Sequence, residues 1–325
     1  MKFTILALSL TAFAFAQSSA TNRITQKAQA FLATFDDAGK QKLLFAFDDN
    51  EQRKRWSNLP TGIFARKGIR LTDMNSAQKA AAHDLLAALL SPEGYRKTLA
   101  VMEGDGKLPP AGNPKIVFGK EEYYFSFLGK PSAKEPWALQ FGGHHFAINL
   151  LVAGKEGILT PSHTAAQPAA YEVNGKTVRP LGAENDKAFA LMQALDEGQR
   201  KEAILGFEIR DLVLGPLEDG KTIQPEGLRV AKMNAKQKEM LLSLMEEWAG
   251  MVEKSVAAVR MKELRANLDQ TWFAWSGSTE NGKAAYFRIQ GPTVVIEYAP
   301  QRDTMHIHTI YRDPTNDYGK KTLAR

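Results

Sequence analysis

Trp137-Ala138-Leu139-Gln140-Phe141-Gly142-Gly143-His144-His145-Phe146-Ala147-Ile148-Asn149-Leu150-Leu151-Val152 reads as two apolar, β-rich runs separated by paired glycines. That text predicts two strands, Trp137–Phe141 and His144–Val152, meeting at Gly142-Gly143. Alternation along the second strand puts His144 on one face with Phe146, Ile148 and Leu150. It puts His145 on the other with Ala147 and Asn149. His145 is therefore the better candidate for a polar site, and a strand irregularity after the glycines reverses the choice.

Working outward, Tyr123–Gly129 precedes this pair as a further strand. Trp272–Trp275, Ala285–Gln290, Thr293–Tyr298 and His306–Tyr311 form a second strand cluster near the end of the 325-residue chain. Helical periodicity covers Thr21–Phe47, a segment capped at Asn75 or Ser76 with Leu85, Leu86, Leu89 and Leu90 as its stripe, Tyr95–Met102, Glu184–Leu205 and Asn234–Ala266. Trp56–Gly62 and Gly104–Pro114 read as loops, as does Thr160-Pro161-Ser162-His163. The expected fold is α+β, with helices packed on antiparallel sheets.

The halves echo one another. Gln52-Arg53-Lys54 recurs as Gln199-Arg200-Lys201, and Met74-Asn75-x-x-Gln78-Lys79 as Met233-Asn234-x-x-Gln237-Lys238. Phe125–Gly129 matches Phe273–Gly277, and Gly143 matches Gly291. We expect an internal duplication of two helix-plus-sheet units, about 21–165 and 166–325, with a pocket at their junction. In that alignment His144 and His145 meet Pro292 and Thr293, Asn149 meets Glu297, and Leu150 meets Tyr298.

Residues 1–20 have a different character. A basic start, an apolar run from Phe3 to Ala16 and the small-residue sites Ala14-Phe15-Ala16 or Ser18-Ser19-Ala20 predict a cleaved secretory signal and an exported protein, periplasmic or extracellular. No later run is long enough to span a membrane. The net charge of +6 is spread along the chain, and no basic block interleaves with aromatics, which disfavours nucleic acid as a partner. A small-molecule or peptide ligand is the expected partner.

The sequence has no cysteine, so any metal must take nitrogen or oxygen ligands. Four of its six histidines fall in His144-His145 and in His306-Ile307-His308. On a strand His306 and His308 share a face and can meet one ion, with His145 or His144 completing the set. A divalent transition metal is expected, zinc before copper or iron. Glu297, ending the apolar run Val294-Val295-Ile296, is the expected catalytic base, or else an ion-pair partner of Arg288 or Arg312. Asn149, Arg288, Tyr298, Arg312 and Asp317 are the polar residues available to a ligand. Arg312 offers a bidentate grip on an anion, or a salt bridge inside the turn-rich segment Tyr311–Gly319. His83, beside Asp84 on a helix, reads as structural. No nucleophile elbow, phosphate loop, dinucleotide fingerprint or His-Glu-x-x-His helix is present.

Several motifs carry a family likeness: Trp56-x-x-Leu59-Pro60, Leu90-Ser91-x-x-Gly94-Tyr95, Gly143-His144-His145 with Asn149, Tyr286-x-Arg288-Ile289-x-Gly291-Pro292, Glu297-Tyr298, His306-Ile307-His308-Thr309, Arg312-Asp313-Pro314 and Asn316-Asp317-Tyr318-Gly319. On these the chain resembles the secreted bacterial and fungal proteins grouped as domain of unknown function 3500. The resemblance implies an exported domain and carries no activity with it. The residues themselves point first to a zinc-dependent hydrolase. A non-catalytic metal-carrying or ligand-binding protein, or a module whose histidines only hydrogen-bond, are the alternatives.

Overall fold

The computed structural model describes residues 2–324, and of residues 2–16 and Ser18 the backbone alone. The apolar side chains on which the signal peptide was read thus lie outside the described residues. Among the described residues no helix is long and apolar enough to cross a membrane.

The helices are α1 (Lys2–Ala33), α2 (Asp37–Leu43), α3 (Asn50–Arg53), α4 (Ser76–Leu89), α5 (Pro92–Asp105), α6 (Gly182–Ala194), α7 (Glu197–Ala203), α8 (Ala235–Ala249), α9 (Lys254–Ala266) and α10 (Lys320–Leu323). The strands are β1 (Leu44–Phe45), β2 (Ile69–Arg70), β3 (Tyr124–Leu128), β4 (Trp137–Gly142), β5 (Phe146–Ala153), β6 (Glu156–Ala166), β7 (Tyr171–Val173), β8 (Lys176–Val178), β9 (Leu228–Arg229), β10 (Trp272–Gly277), β11 (Ala285–Gly291), β12 (Val294–Pro300) and β13 (Ile307–Arg312). The fold is α+β, as expected.

Caps divide the long helical stretches that periodicity had run together. Asp36 accepts the Gly39 N–H and starts α2, so the stretch Thr21–Phe47 breaks there and ends in strand β1. Asp196 and Gln199 form a capping box that separates α7 from α6. The Glu253 side chain accepts from Ser255 N and opens α9 after α8 has ended at Gly250.

Strand β6 replaces the loop expected around Thr160-Pro161-Ser162-His163. Pro161 has no N–H for the ladder, and the register with β5 shifts there, between Ile148 and Leu150. Asn149 sits in the shift and donates its Nδ2 to Pro161 O at 3.0 Å. A side chain thereby holds the strand where the backbone cannot.

Eleven strands form one sheet in the order β1-β3-β4-β5-β6-β13-β12-β11-β10-β9, with β2 on β3. Its centre is the antiparallel pair β6·β13, where Thr309 faces Thr164. Thr309 Oγ1 donates to Thr164 O at 2.7 Å and accepts from Trp248 Nε1 at 2.9 Å. On either side of that pair the same arrangement runs outward, β5-β4-β3 and β12-β11-β10. The helix junctions match too, because Ser91 N donates to Met251 O and Glu253 N to Leu89 O, each at 2.8 Å. Helices α4 and α8 both open on an Asn–Gln capping box, at Asn75 and Asn234. The Gln-Arg-Lys echo does not follow this pattern: Gln52-Arg53 lies in α3, whereas Gln199–Lys201 lies in α7, which is followed by a parallel bridge from Ile204 to Trp275 of β10 as α2 is followed by β1 parallel to β3.

One face of the sheet is apolar and packs on the helices, with Phe125, Trp137, Leu139, Phe141 and Ile148 in the first half and Phe273, Trp275, Phe287 and Ile296 in the second. The opposite face is polar and carries Gln140, Asn149, His163, Arg288, Glu297 and His308. Two long loops cover it. Gln52 bonds Ser126 and Gln140 from one, and Val213, Leu214 and Glu226 bond Glu297 and Arg288 from the other.

Helix α5, which delivers a site residue at its end, is locked by a buried ion cluster. Lys97 Nζ lies 2.6 Å from Glu184 Oε1 on α6 and 2.9 Å from Glu247 Oε2 on α8. Burial opposes its charge, but the two carboxylates prevail and raise its pKa above the lysine norm. Removing the lysine alone strands the buried Glu184, while Glu247 keeps Lys187 at 2.6 Å. Lys97→Met should therefore cost about 3–5 kcal/mol in urea unfolding, and the triple variant with Glu184→Leu and Glu247→Gln should recover much of that loss. A cost below about 1 kcal/mol for Lys97→Met would show that the cluster does not lock α5.

Candidate metal centre

The site lies at one end of the three central strands, where β5 begins, β6 ends and β13 begins. Gly143 N donates to Phe146 O at 2.8 Å and closes the tight β4–β5 turn that carries both His144 and His145. Gly143 must be glycine, since a Cβ there would come within 2.6 Å of Glu122 O and 2.8 Å of the Tyr123 ring. Arg66 Nη2 holds the turn from outside by donating to Gly143 O at 2.5 Å. His145 O in turn accepts from Ala165 N of β6 at 2.7 Å. His306 sits just before β13, at the base of the hairpin closed by Gln301 N donating to its carbonyl. His308 is the second residue of β13, opposite Ala165.

These contacts bring five of the six histidines into one cluster. Ring centroids of His145 lie 3.6 Å from His144, 5.1 Å from His306 and 6.1 Å from His308. His306 and His308 are 4.6 Å apart, and His163 is 5.5 Å from His308. The remaining histidine, His83, pairs with the Tyr95 hydroxyl on the helical side, as a structural residue would.

Ligand atoms of His145, His306 and His308 lie within 4.8 Å of one another, as do those of Asp105, His144 and His145. His145 Nδ1 bonds Asp105, so its Nε2 is the free nitrogen, and that atom lies 3.2 Å from His306 Nε2. His308 has Nδ1 3.5 Å from an oxygen of Asp211, without a hydrogen bond. In a tetrahedral site with metal–nitrogen bonds of about 2.0–2.1 Å, neighbouring nitrogens stand about 3.3–3.4 Å apart. The His145–His306 spacing fits that edge, and a carboxylate behind a ligating imidazole is the usual way of fixing its tautomer.

The chemistry of the donors fits as well. Burial lowers the His145 pKa to about 4, against the opposing pull of Asp105. Burial, together with repulsion from the other histidines, lowers His306 to about 3. Both rings are neutral at pH 7, the form a metal requires. Burial also opposes charge on Asp105, but His145 and His144 prevail and hold its carboxyl below the usual carboxylate range. Tyr123 donates to the other oxygen of Asp105 at 2.5 Å.

His145 takes the inner position that strand alternation favoured, fully buried. His144 stacks on Phe118 at 5.0 Å, with Nδ1 3.6 Å from Asp105. Sequence reading missed Asp105, which ends α5 at the start of what read as a glycine-rich loop. It missed Asp211 for want of any local pattern. It also misplaced His163, which lies within strand β6 and is fully buried, with neither ring nitrogen hydrogen-bonded.

Glu297 is not brought to the cluster. Its oxygens accept from Val213 N at 3.0 Å, Leu214 N at 2.7 Å and the Tyr286 hydroxyl, so it anchors the covering loop. Arg288 pairs with Glu226 rather than with it. Arg312 donates to Leu214 O and Gly215 O and pairs with Asp219 and Asp317, which makes it the internal salt bridge of the two readings offered. Asn149 is bonded to Gln140 and Pro161, and Tyr298 faces the helices, 3.4 Å from Asn185. The residues expected to bind a ligand are thus held in internal bonds, away from the histidines.

Fold and site together define an α+β sheet protein with a carboxylate-backed histidine cluster at one end of its central strands. A family model described as "Protein of unknown function (DUF3500)" matches residues 17–320, and the chain belongs to that family. No curated protein and no solved structure matches it.

The depressed histidine pKa values have a consequence for stability. The unfolded chain takes up protons near pH 6.5, where the buried rings still refuse them, so the folded state loses ground as pH falls from about 6.5 toward 4. The melting temperature of metal-free protein should fall across that window, and His145→Gln should flatten the fall. A melting temperature constant from pH 6.5 to 4.5, followed by loss only in the carboxylate range, would contradict the buried neutral cluster.

Proposed function

We propose that the chain is an exported metal-dependent hydrolase, with zinc the first choice of metal and His145, His306 and His308 its ligands. The observation that carries the reading is the opposed pair of Nε2 atoms on His145 and His306, one of them backed by a buried carboxylate. Three imidazole nitrogens leave a fourth position for water or substrate. His306, partly exposed, forms part of the wall of an open cleft of about 680 Å³, so the cluster has a route to solvent. A metal there would supply Lewis acidity and a water acidified toward neutral pH.

The protein's part is division of labour among residues. Asp105 holds the Nδ1 side of His145 and fixes which of its nitrogens faces the centre, and Asp211 lies 3.5 Å from His308 Nδ1. Glu297 has no part, because its oxygens are spent on the loop. Asp211, more than half exposed, 3.5 Å from His308 and lining a second cleft, is the carboxylate we assign to accept a proton. The alternative, a protein that carries a metal without turnover, draws support from the burial of His145 and His308.

The two readings separate by experiment. Wild-type protein should hold near-stoichiometric metal by elemental analysis, His306→Ala/His308→Ala should hold none, and Asp105→Asn should weaken affinity by roughly 10–100-fold. Hydrolysis of an ester, amide or phosphoester panel should vanish with chelator and return with zinc. Bound metal without turnover would favour carriage, and equal metal in the double variant would end both readings.

A further inference from the structure

Beyond the histidines, the cleft that His306 borders has a definite chemical character. We infer that it binds small organic anions, with Arg302 and Lys107 gripping a carboxylate or phosphate group beside His306. This deepens the hydrolase reading by naming its substrate class, and rests on that reading only for the reaction.

Arg302 is the central observation. It stands at the tip of the β12–β13 hairpin with φ +67°, in the left-handed region that non-glycine residues seldom occupy. Its guanidinium forms no ion pair or side-chain hydrogen bond among the described residues, whereas Arg288, Arg312 and Arg260 are all paired. Arg302 lines both the His306 cleft and the neighbouring cleft of about 540 Å³ that contains Asp211. A free planar donor set at a junction of two clefts, beside a histidine of the cluster, suits a carboxylate or phosphate.

Lys107 supports the same end from the opposite wall. Its ammonium lies 5.3 Å from the Tyr171 ring and only loosely pairs with Glu103, at 3.8 Å. Asp303 also lines the cleft, but one of its oxygens accepts from Met305 N at 2.7 Å. Leu108, Pro109, Pro168 and Met305 give the remaining wall an apolar surface, and Met305 is 45% exposed. The occupant that matches is an acid with a compact apolar body.

The test titrates full-length protein, metal-free and zinc-loaded, with benzoate, phenyl phosphate and benzyl alcohol, read by amide shifts of residues 301–306. One or both anions should bind at least about tenfold more tightly than the alcohol, and Arg302→Gln should weaken the anions by about tenfold. The same substitution should leave alcohol binding and zinc content unchanged. The stronger anion identifies the head group. Equal binding of alcohol and anions, indifference to Arg302→Gln, or absence of titration overturns the inference. Anion binding that persists in a protein unable to hold zinc would sustain it while sinking the metal reading. Stoichiometric zinc without anion preference would do the reverse.

Discussion

The antiparallel pairing of β6 with β13 is the contact on which both fold and site depend. It joins two sheets of similar order into one, around the facing pair Thr164 and Thr309. The same register sets His308 opposite Ala165 and brings His306 to the end of the sheet where the β4–β5 turn presents His145. Residues 161 positions apart in sequence meet at 3.2 Å because two strands pair. Without that pairing His306 and His308 would not reach His145.

Two turns between neighbouring strands of the sheet differ in chemistry. The β4–β5 turn carries His144 and His145, whereas the β11–β12 turn carries Pro292 and Thr293. At the second turn a single arginine, Arg260, donates to Thr293 O and to the Tyr311 hydroxyl and pairs with Asp313. The histidine end gathers imidazoles whose nitrogens lack a hydrogen-bond partner, among them both nitrogens of His163 and Nδ1 of His144. Buried polar atoms without partners are costly, and a ligand held there would satisfy these.

Much of this was legible in the sequence. Period-two runs gave seven strands of the sheet within a residue or two, and the Asn–x–x–Gln signatures marked the starts of α4 and α8. Alternation chose His145 over His144. What the sequence hid has physical causes. Strand β6 was masked by Pro161, whose missing donor is offset by the Asn149 side chain, a tertiary contact. Asp105 and Asp211 sit at a helix end and in a loop, where no periodicity acts, and only packing brings them to the histidines. Glu297 misled because an acid ending an apolar strand reads as a catalytic group. Two backbone N–H groups from a loop more than eighty positions away are what it serves.

The most direct test of this account is X-ray absorption at the zinc edge of the reloaded protein. Three imidazole nitrogens and at least one exchangeable oxygen, at about 2.0–2.1 Å, are the predicted first shell. A shell of oxygen ligands alone, or an unchanged spectrum in His306→Ala/His308→Ala, would contradict it.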